Sequence, residues 1–157
     1  MAPDTWPRLD GCNCLALRQA ARHVTQFYDQ FLAGVGLRAT QFSVLNKLRR
    51  LGPLPINALA KELVMDRTTL GRNILPLQRE GLIAIVQGRA DRRSKELQLT
   101  DAGLARLRGA VESWTEAQAR FEAIFGDQRS LELRNLLHTV SATELADAAG
   151  PVPQPAA

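Results

Sequence analysis

Two short stretches hold the residue types best able to do chemistry. "DRTTLGRNIL" at 66–75 offers Arg67, Thr68, Thr69, Arg72 and Asn73, and "GRADRRSK" at 88–95 offers Arg89, Arg92, Arg93 and Lys95 around Asp91. All five polar residues of the first stretch carry hydrogen-bond donors. A guanidinium matches the N7/O6 edge of guanine or a phosphate in bidentate fashion, and a carboxamide matches the N6/N7 edge of adenine. No acid stands between Asp66 and Glu80. Residues 67–95 hold seven cations against Glu80 and Asp91, a local charge of +5 in a chain of net +4. An ordinary solvated face mixes signs and is rich in Glu and Lys. This one carries Arg, Thr and Asn, a pattern suited to a polyanion with readable base edges.

The third feature is the C-x-C of Cys12 and Cys14, the only cysteines in the chain. If both are helical, residues two apart project about 200° from one another, so the thiols point in opposite directions. They then neither chelate one metal nor close an unstrained disulfide. His23 and His138 stand alone, and no metal site is expected. Cys14 shares an apolar stripe with Leu17, Ala21, Val24 and Tyr28, whereas Cys12 has no role read from sequence. Arg18, one turn from Cys14, would favour the reactive thiolate. No paired carboxylates, Ser/His/Asp set, phosphate loop or metal cluster is recognisable, so an enzyme is not expected, nor is a cofactor.

Helices must position these residues. Cys14, Leu17, Ala21, Val24, Tyr28 and Phe31 recur at steps of three and four, predicting a helix over 12–33 that ends at Gly34 or Gly36. Thr40 suits the N-cap of a second helix with Phe42, Leu45 and Leu48 inward, and "GPLP" ends it. Two short helices follow, at 56–64 and 66–81. Asp66 caps the second, whose stripe is Leu70, Ile74 and Leu77, and Pro76 predicts a kink or a bent last turn. "LIAIV" and "ELQLT" read as two strands of a hairpin with a long cationic tip. Asp91 would brace an arginine side chain there. Thr100 caps a long helix over 101–125, with Leu104, Leu107, Val111, Trp114, Phe121 and Phe125 near heptad spacing. A last helix is capped near Asp127 and carries Leu133, Leu136, Leu137 and Val140.

The expected fold is therefore mainly α with a small β-hairpin, in the order α-α-α-α-β-β-α-α. Its middle, α-α-α-β-β, is the order of a winged helix-turn-helix, whose second helix enters the major groove while the hairpin tip reaches the minor groove. With 157 residues, 45% hydrophobic and 23% charged, the chain suits one domain with a real core. No run nears the roughly 18 apolar residues of a membrane span. The first residues lack the charge and apolar pattern of a signal peptide, so the cytoplasm is the expected location. Residues 1–10 and the Pro/Ala-rich 147–157 are expected to be disordered.

"LAKELVMDRTTLGRNILPLQREGLI" followed by "ADRRSKELQLTDAG" resembles the MarR family of bacterial transcription regulators. The D-R-x-T helix start, the R-x-I-x-x-L-x-x-x-G-L-I continuation, the D-R-R tip and the L-T-x-x-G that follows are all present, and the resemblance spans 12–146. It implies a winged helix-turn-helix domain over 11–146. Helices at 11–34 and 101–146 would build a homodimerisation layer, and 40–100 a lobe that binds double-stranded, near-palindromic DNA. It implies Arg93 as a minor-groove finger braced by Asp91, and an Asp66–Arg72 pair fixing the recognition helix. It leaves two signals open. One is a small-molecule inducer, held by Arg18, His23, Phe27 and Trp114. The other is organic-hydroperoxide sensing at Cys14 with Tyr28, where Arg18 departs from a tyrosine of the sensing branch.

Overall fold

The structure is a computed structural model that describes residues 9–88 and 91–145. Its helices are α1 (Asn13–Leu32), α2 (Ala39–Leu51), α3 (Ile56–Glu62), α4 (Arg67–Arg79), α5 (Asp101–Phe125) and α6 (Asp127–Ala142). Three strands, β1 (Leu54–Pro55), β2 (Ile83–Gln87) and β3 (Lys95–Leu99), form one antiparallel sheet in the order β1-β3-β2. The chain divides within α5 into two units, one up to Gln118 and one from Ala119.

In the first unit, the helix-turn-helix stripes meet in one core. Phe42, Val44, Leu45 and Leu48 of α2 pack with Leu59 of α3, with Leu70, Ile74 and Leu77 of α4, and with Leu82, Ile83 and Leu97 of the sheet. Burying a Leu or Ile side chain stabilises by about 1.5–3 kcal/mol, so this cluster is what holds α4 with its polar face outward. The sheet has one strand more than the hairpin expected from sequence. Leu54–Pro55 pairs with Leu97 and Glu96 at the sheet edge, where a proline without an N–H is tolerated. The hairpin register runs Ile83↔Leu99, Ile85↔Leu97 and Gln87↔Lys95.

Several helix ends differ from expectation for identifiable reasons. Thr40 does not cap α2. Its N-cap is Arg38, whose N–H donates to Gln41 Oε1 at 2.9 Å, while the N–H of Ala39 donates to Asp29 Oδ1 at 2.7 Å. The acceptor comes from α1, ten residues away, which local sequence does not reveal. The last helix is preceded by Gly126 (φ 99°), and Asp127 is its first residue. Helix α4 continues through Pro76 to Arg79.

Helix α3 ends in a hydrogen-bond pair typical of a left-handed C-terminus. The Val64 N–H donates to Lys61 O at 3.1 Å and the Met65 N–H to Ala60 O at 2.9 Å. The left-handed position is taken by Val64 (φ 52°), a β-branched residue where glycine is favoured. The start of α5 explains the L-T-x-x-G pattern. Thr100 Oγ1 accepts from the Gly103 N–H at 3.0 Å and donates to Gly81 O at 2.7 Å. Gly103 is buried, and a methyl there would overlap the Leu82 carbonyl oxygen and come within 2.7 Å of Leu99 Cδ1.

Part of the apolar stripe of α1 lies at the surface. Cys14, Leu17 and Ala21 are exposed, and Val24, Tyr28 and Phe31 are half-buried. In the second unit, Leu136, Leu137 and Val140 of α6 are likewise exposed, and Leu133 is half-buried. That unit is tied by the Phe121–Phe125 stack (5.5 Å), by Arg129 over the Phe125 ring (4.7 Å) and by an Arg134–Glu122 ion pair (2.8 Å).

Candidate nucleic-acid interface

The buried side of α4 is Leu70, Ile74 and Leu77, which leaves Arg67, Thr68, Thr69 and Arg72 exposed and Asn73 half-buried. Asp66 anchors the start of this face. Its Oδ1 accepts from the Thr69 N–H at 2.8 Å, and its Oδ2 accepts from the Thr69 hydroxyl at 2.6 Å. The Thr69 hydroxyl, then its N–H, holds the Asp66 carboxyl below the ordinary carboxylate value of 3.8. Asp66 is thus partnered by Thr69, and no ion pair joins it to Arg72 among the described residues. Thr69 sits three residues past Asp66, the position whose N–H an N-cap carboxylate satisfies. Arg72 is left to reach outward.

The polar residues of this face are therefore not equivalent. Thr69 donates its hydroxyl proton to Asp66. Asn73 Nδ2 donates to Thr69 O at 2.9 Å, which leaves its Oδ1 and one N–H. Among the described residues, the side chains of Arg67, Thr68 and Arg72 keep all their donors.

The hairpin tip is a hydrogen-bonded loop. Gly88 N–H donates to Ser94 O (2.9 Å), and Ser94 donates to Asp91 O twice, from its N–H (3.0 Å) and its hydroxyl (2.7 Å). Asp91 Oδ1 accepts from the Arg93 N–H at 2.8 Å. Asp91 therefore braces the backbone of Arg93, and among the described residues it holds no arginine side chain, the partner expected from sequence. A carboxylate two residues before an N–H closes this local turn readily. Arg92, Arg93 and Lys95 are exposed, and none is in an ion pair among the described residues. Arg89 lies outside the described residues. Sequence reasoning missed Gly88, which is buried: a methyl there would overlap Ser94 Oγ and lie 2.7 Å from Asp91 O. A glycine at the strand-to-tip junction was the available signal.

The sensor candidates are not gathered into one place. Cys12 is the N-cap of α1, with its sulfur accepting from the Leu15 N–H at 3.4 Å. Cys14 is exposed. Tyr28 lies fourteen residues further along the same helix, about 21 Å away at 1.5 Å per residue, and its hydroxyl donates to Gln118 at 2.6 Å. Arg18 and His23 are exposed, and Phe27 packs on Tyr28 (5.8 Å) and Phe31 (5.1 Å). A cavity of about 290 Å³ is lined by Val24, Thr25, Tyr28, Ala39, Phe42, Ser43 and Trp114. Of the four pocket residues expected, it includes Trp114, which stacks on Phe42 at 5.9 Å. Its lining joins hydroxyls and aromatic rings to the aliphatic Val24 and Ala39, with no charged side chain among the described residues. A groove of about 430 Å³ is lined by Phe42, Asn46, Arg49, Leu104, Leu107, Arg108 and Val111. Among the described residues, no group of His, Cys, Asp and Glu is placed to hold a metal, and no helix is long and apolar enough to cross a membrane.

Known proteins share this architecture. The MarR family profile matches residues 37–95. The HTH-type transcriptional regulator PecS of Dickeya dadantii is 30% identical over 115 residues, 71% of this chain and 69% of PecS. The M. tuberculosis transcriptional regulator MosR, solved in complex with DNA, is 37% identical with a TM-score of 0.71, over 85% of this chain and 99% of that one. CouR, a transcriptional repressor solved on a 23-mer DNA duplex, is 26% identical with a TM-score of 0.74, over 87% of this chain and 99% of that one. With a winged helix-turn-helix core, a cationic hairpin and a relative of this identity and coverage, the chain belongs to the MarR family of transcription regulators, which are not enzymes.

Proposed function

We propose that the protein is a homodimeric, sequence-specific DNA-binding repressor of the cytoplasm, released from a palindromic operator by a small ligand. The observation that carries this reading is the pairing of an acid-free helix face with a braced cationic tip. Arg67, Thr68 and Arg72 stand exposed on α4, and Arg93 is held at the tip by Asp91. Arginines at the tip supply phosphate and minor-groove contacts, and α4 reads base edges. DNA appears in the solved complexes of MosR and CouR. The exposed stripes of α1 and α6 support a dimer, since a chain seldom leaves Leu136, Leu137 and Val140 together in water. The cavity beside Trp114 suits an aromatic ligand that meets the Thr25, Tyr28 and Ser43 hydroxyls.

A mobility-shift titration on the DNA upstream of the protein's own gene tests the reading. Salt-sensitive binding that outcompetes random DNA is expected. Arg93→Ala weakens binding to all sequences, and equal binding to every duplex would sink the proposal.

A second reading makes the signal an oxidant. The exposure of Cys14, one turn from Arg18, favours it. Because Tyr28 is about 21 Å away on the same helix, a thiol–tyrosine pair would have to form between two copies of the chain. DNA release by an organic hydroperoxide that disappears in Cys14→Ser supports this reading, and release that persists in the variant removes it.

A further inference from the structure

We propose that Thr69 reads its base pair with one polarity only, as a hydrogen-bond acceptor and a methyl group, because Asp66 consumes its hydroxyl proton. The inference rests on the reading of α4 as the DNA-reading helix and deepens it to one base step.

A threonine hydroxyl has one proton to donate and two lone pairs to accept with. An ionised carboxylate can only accept, so the 2.6 Å contact between Thr69 Oγ1 and Asp66 Oδ2 must use that proton. The length is that of a charge-assisted O–H···O⁻ bond, the stronger kind. The other carboxylate oxygen holds the Thr69 N–H at 2.8 Å, so both oxygens of Asp66 are occupied by one residue. Asn73 adds a third restraint through the Thr69 carbonyl, at 2.9 Å. What Thr69 still offers the groove is a lone pair and its Cγ2 methyl.

The major-groove code turns this into a base preference. Adenine N6 and cytosine N4 are amines that donate to a lone pair, and the thymine C5 methyl packs against another methyl. Guanine offers only acceptors, N7 and O6, which a proton-depleted hydroxyl repels. Thr69 thus selects against guanine. Arg67, Thr68 and Arg72 keep their donors and favour guanine or phosphate at neighbouring positions. Donor-poor and donor-rich readers then sit on one helix face.

The test is selection from a randomised duplex library with the full-length protein. Thr69→Ala first locates the operator position that depends on this side chain. There the wild type is expected to deplete guanine about five- to hundredfold, the usual discrimination of a well-made base contact. Asp66→Asn keeps the cap, because the new amide oxygen still accepts the Thr69 N–H. Its NH₂ now donates to Oγ1 and sends the hydroxyl proton outward. Guanine at that position is expected to recover about tenfold, with other positions unchanged. Thr69→Ser, which does not touch the cap, is expected to lose preference for thymine and keep the exclusion of guanine. Guanine chosen there by the wild type, or an unaltered preference in a folded Asp66→Asn protein, overturns the proposal. So does a guanine gain in Thr69→Ser. Should the wild type enrich no sequence at all, the DNA-reading proposal itself fails, an outcome distinct from all of these.

Discussion

Replacing Gly88 by alanine should loosen the hairpin tip while leaving the domain folded. The added methyl would overlap Ser94 Oγ and sit 2.7 Å from the Asp91 carbonyl oxygen. A rotation of Ser94 relieves the first clash and breaks its hydroxyl bond to Asp91 O, worth about 0.5–1.5 kcal/mol. The second clash involves backbone, so the Asp91 carbonyl must retreat, which weakens the Ser94 N–H bond to the same oxygen. Together these effects come to about 1–2 kcal/mol. They fall on the turn that presents Arg93, and the buried cluster of Leu70, Ile74 and Leu97 is untouched. Binding must then reorder the tip, so DNA affinity should fall roughly 5- to 30-fold, at 1.4 kcal/mol per tenfold. Fluorescence anisotropy on an operator duplex across a salt series reads both affinity and slope. For every phosphate that the loosened tip no longer neutralises, the slope of log K against log salt should shrink by about 0.9. Unchanged affinity in a soluble, folded Gly88→Ala protein would refute the assignment of Gly88 as the support of the tip. A collapse of the thermal transition would refute its local character.

Three further outcomes follow from backbone and cap geometry. Val64→Gly should stabilise the domain by roughly 0.5–1 kcal/mol, because a β-branched side chain is removed from a left-handed conformation; a urea midpoint that moves down would contradict this. Gly103→Ala should destabilise by about 2–4 kcal/mol, as the first turn of α5 is driven off the Leu82 carbonyl and the Thr100 cap is stretched, and calorimetry measures it. Asp66 has its carboxyl value depressed by Thr69, so its contribution is complete above the unfolded value near 3.8 and disappears as pH falls through the lower folded value. The stability gap between wild type and Asp66→Ala should therefore be constant near neutral pH and close in acid, and a gap that widened in acid would reverse the sign.

The winged helix-turn-helix is legible because each element announces itself within a few residues. Leu70, Ile74 and Leu77 give α4 its period, Asp66 its start and Gly81 its end, and all three stripe residues are buried. The candidate surface is legible as a set of residue types but not as a set of bonds. Nothing local tells that the Thr69 proton goes to Asp66, that Asp91 holds a backbone N–H, or that Asp29 caps a helix ten residues on. These depend on side-chain rotamers and on packing across elements. The stripes of α1 and α6 are legible as apolar, but the exposure of Cys14, Leu17, Leu136, Leu137 and Val140 is not, since period alone does not say how far a face is covered. The pocket is the least legible part. Arg18 and His23 stay at the surface, while Thr25 of α1 and Phe42 and Ser43 of α2 line the cavity with Trp114 of α5, a meeting of three helices that no local pattern shows.

Hydroxyl-radical footprinting on the enriched duplex tests the central claim most directly. A dimer that places two α4 helices in successive major grooves should protect two stretches centred about 34 Å apart, one helical turn, on one face of the DNA. Flanking minor-groove protection should vanish in Arg93→Ala while the central pattern remains. A single protected stretch, or a pattern indifferent to changes in both α4 and the tip, would contradict the account.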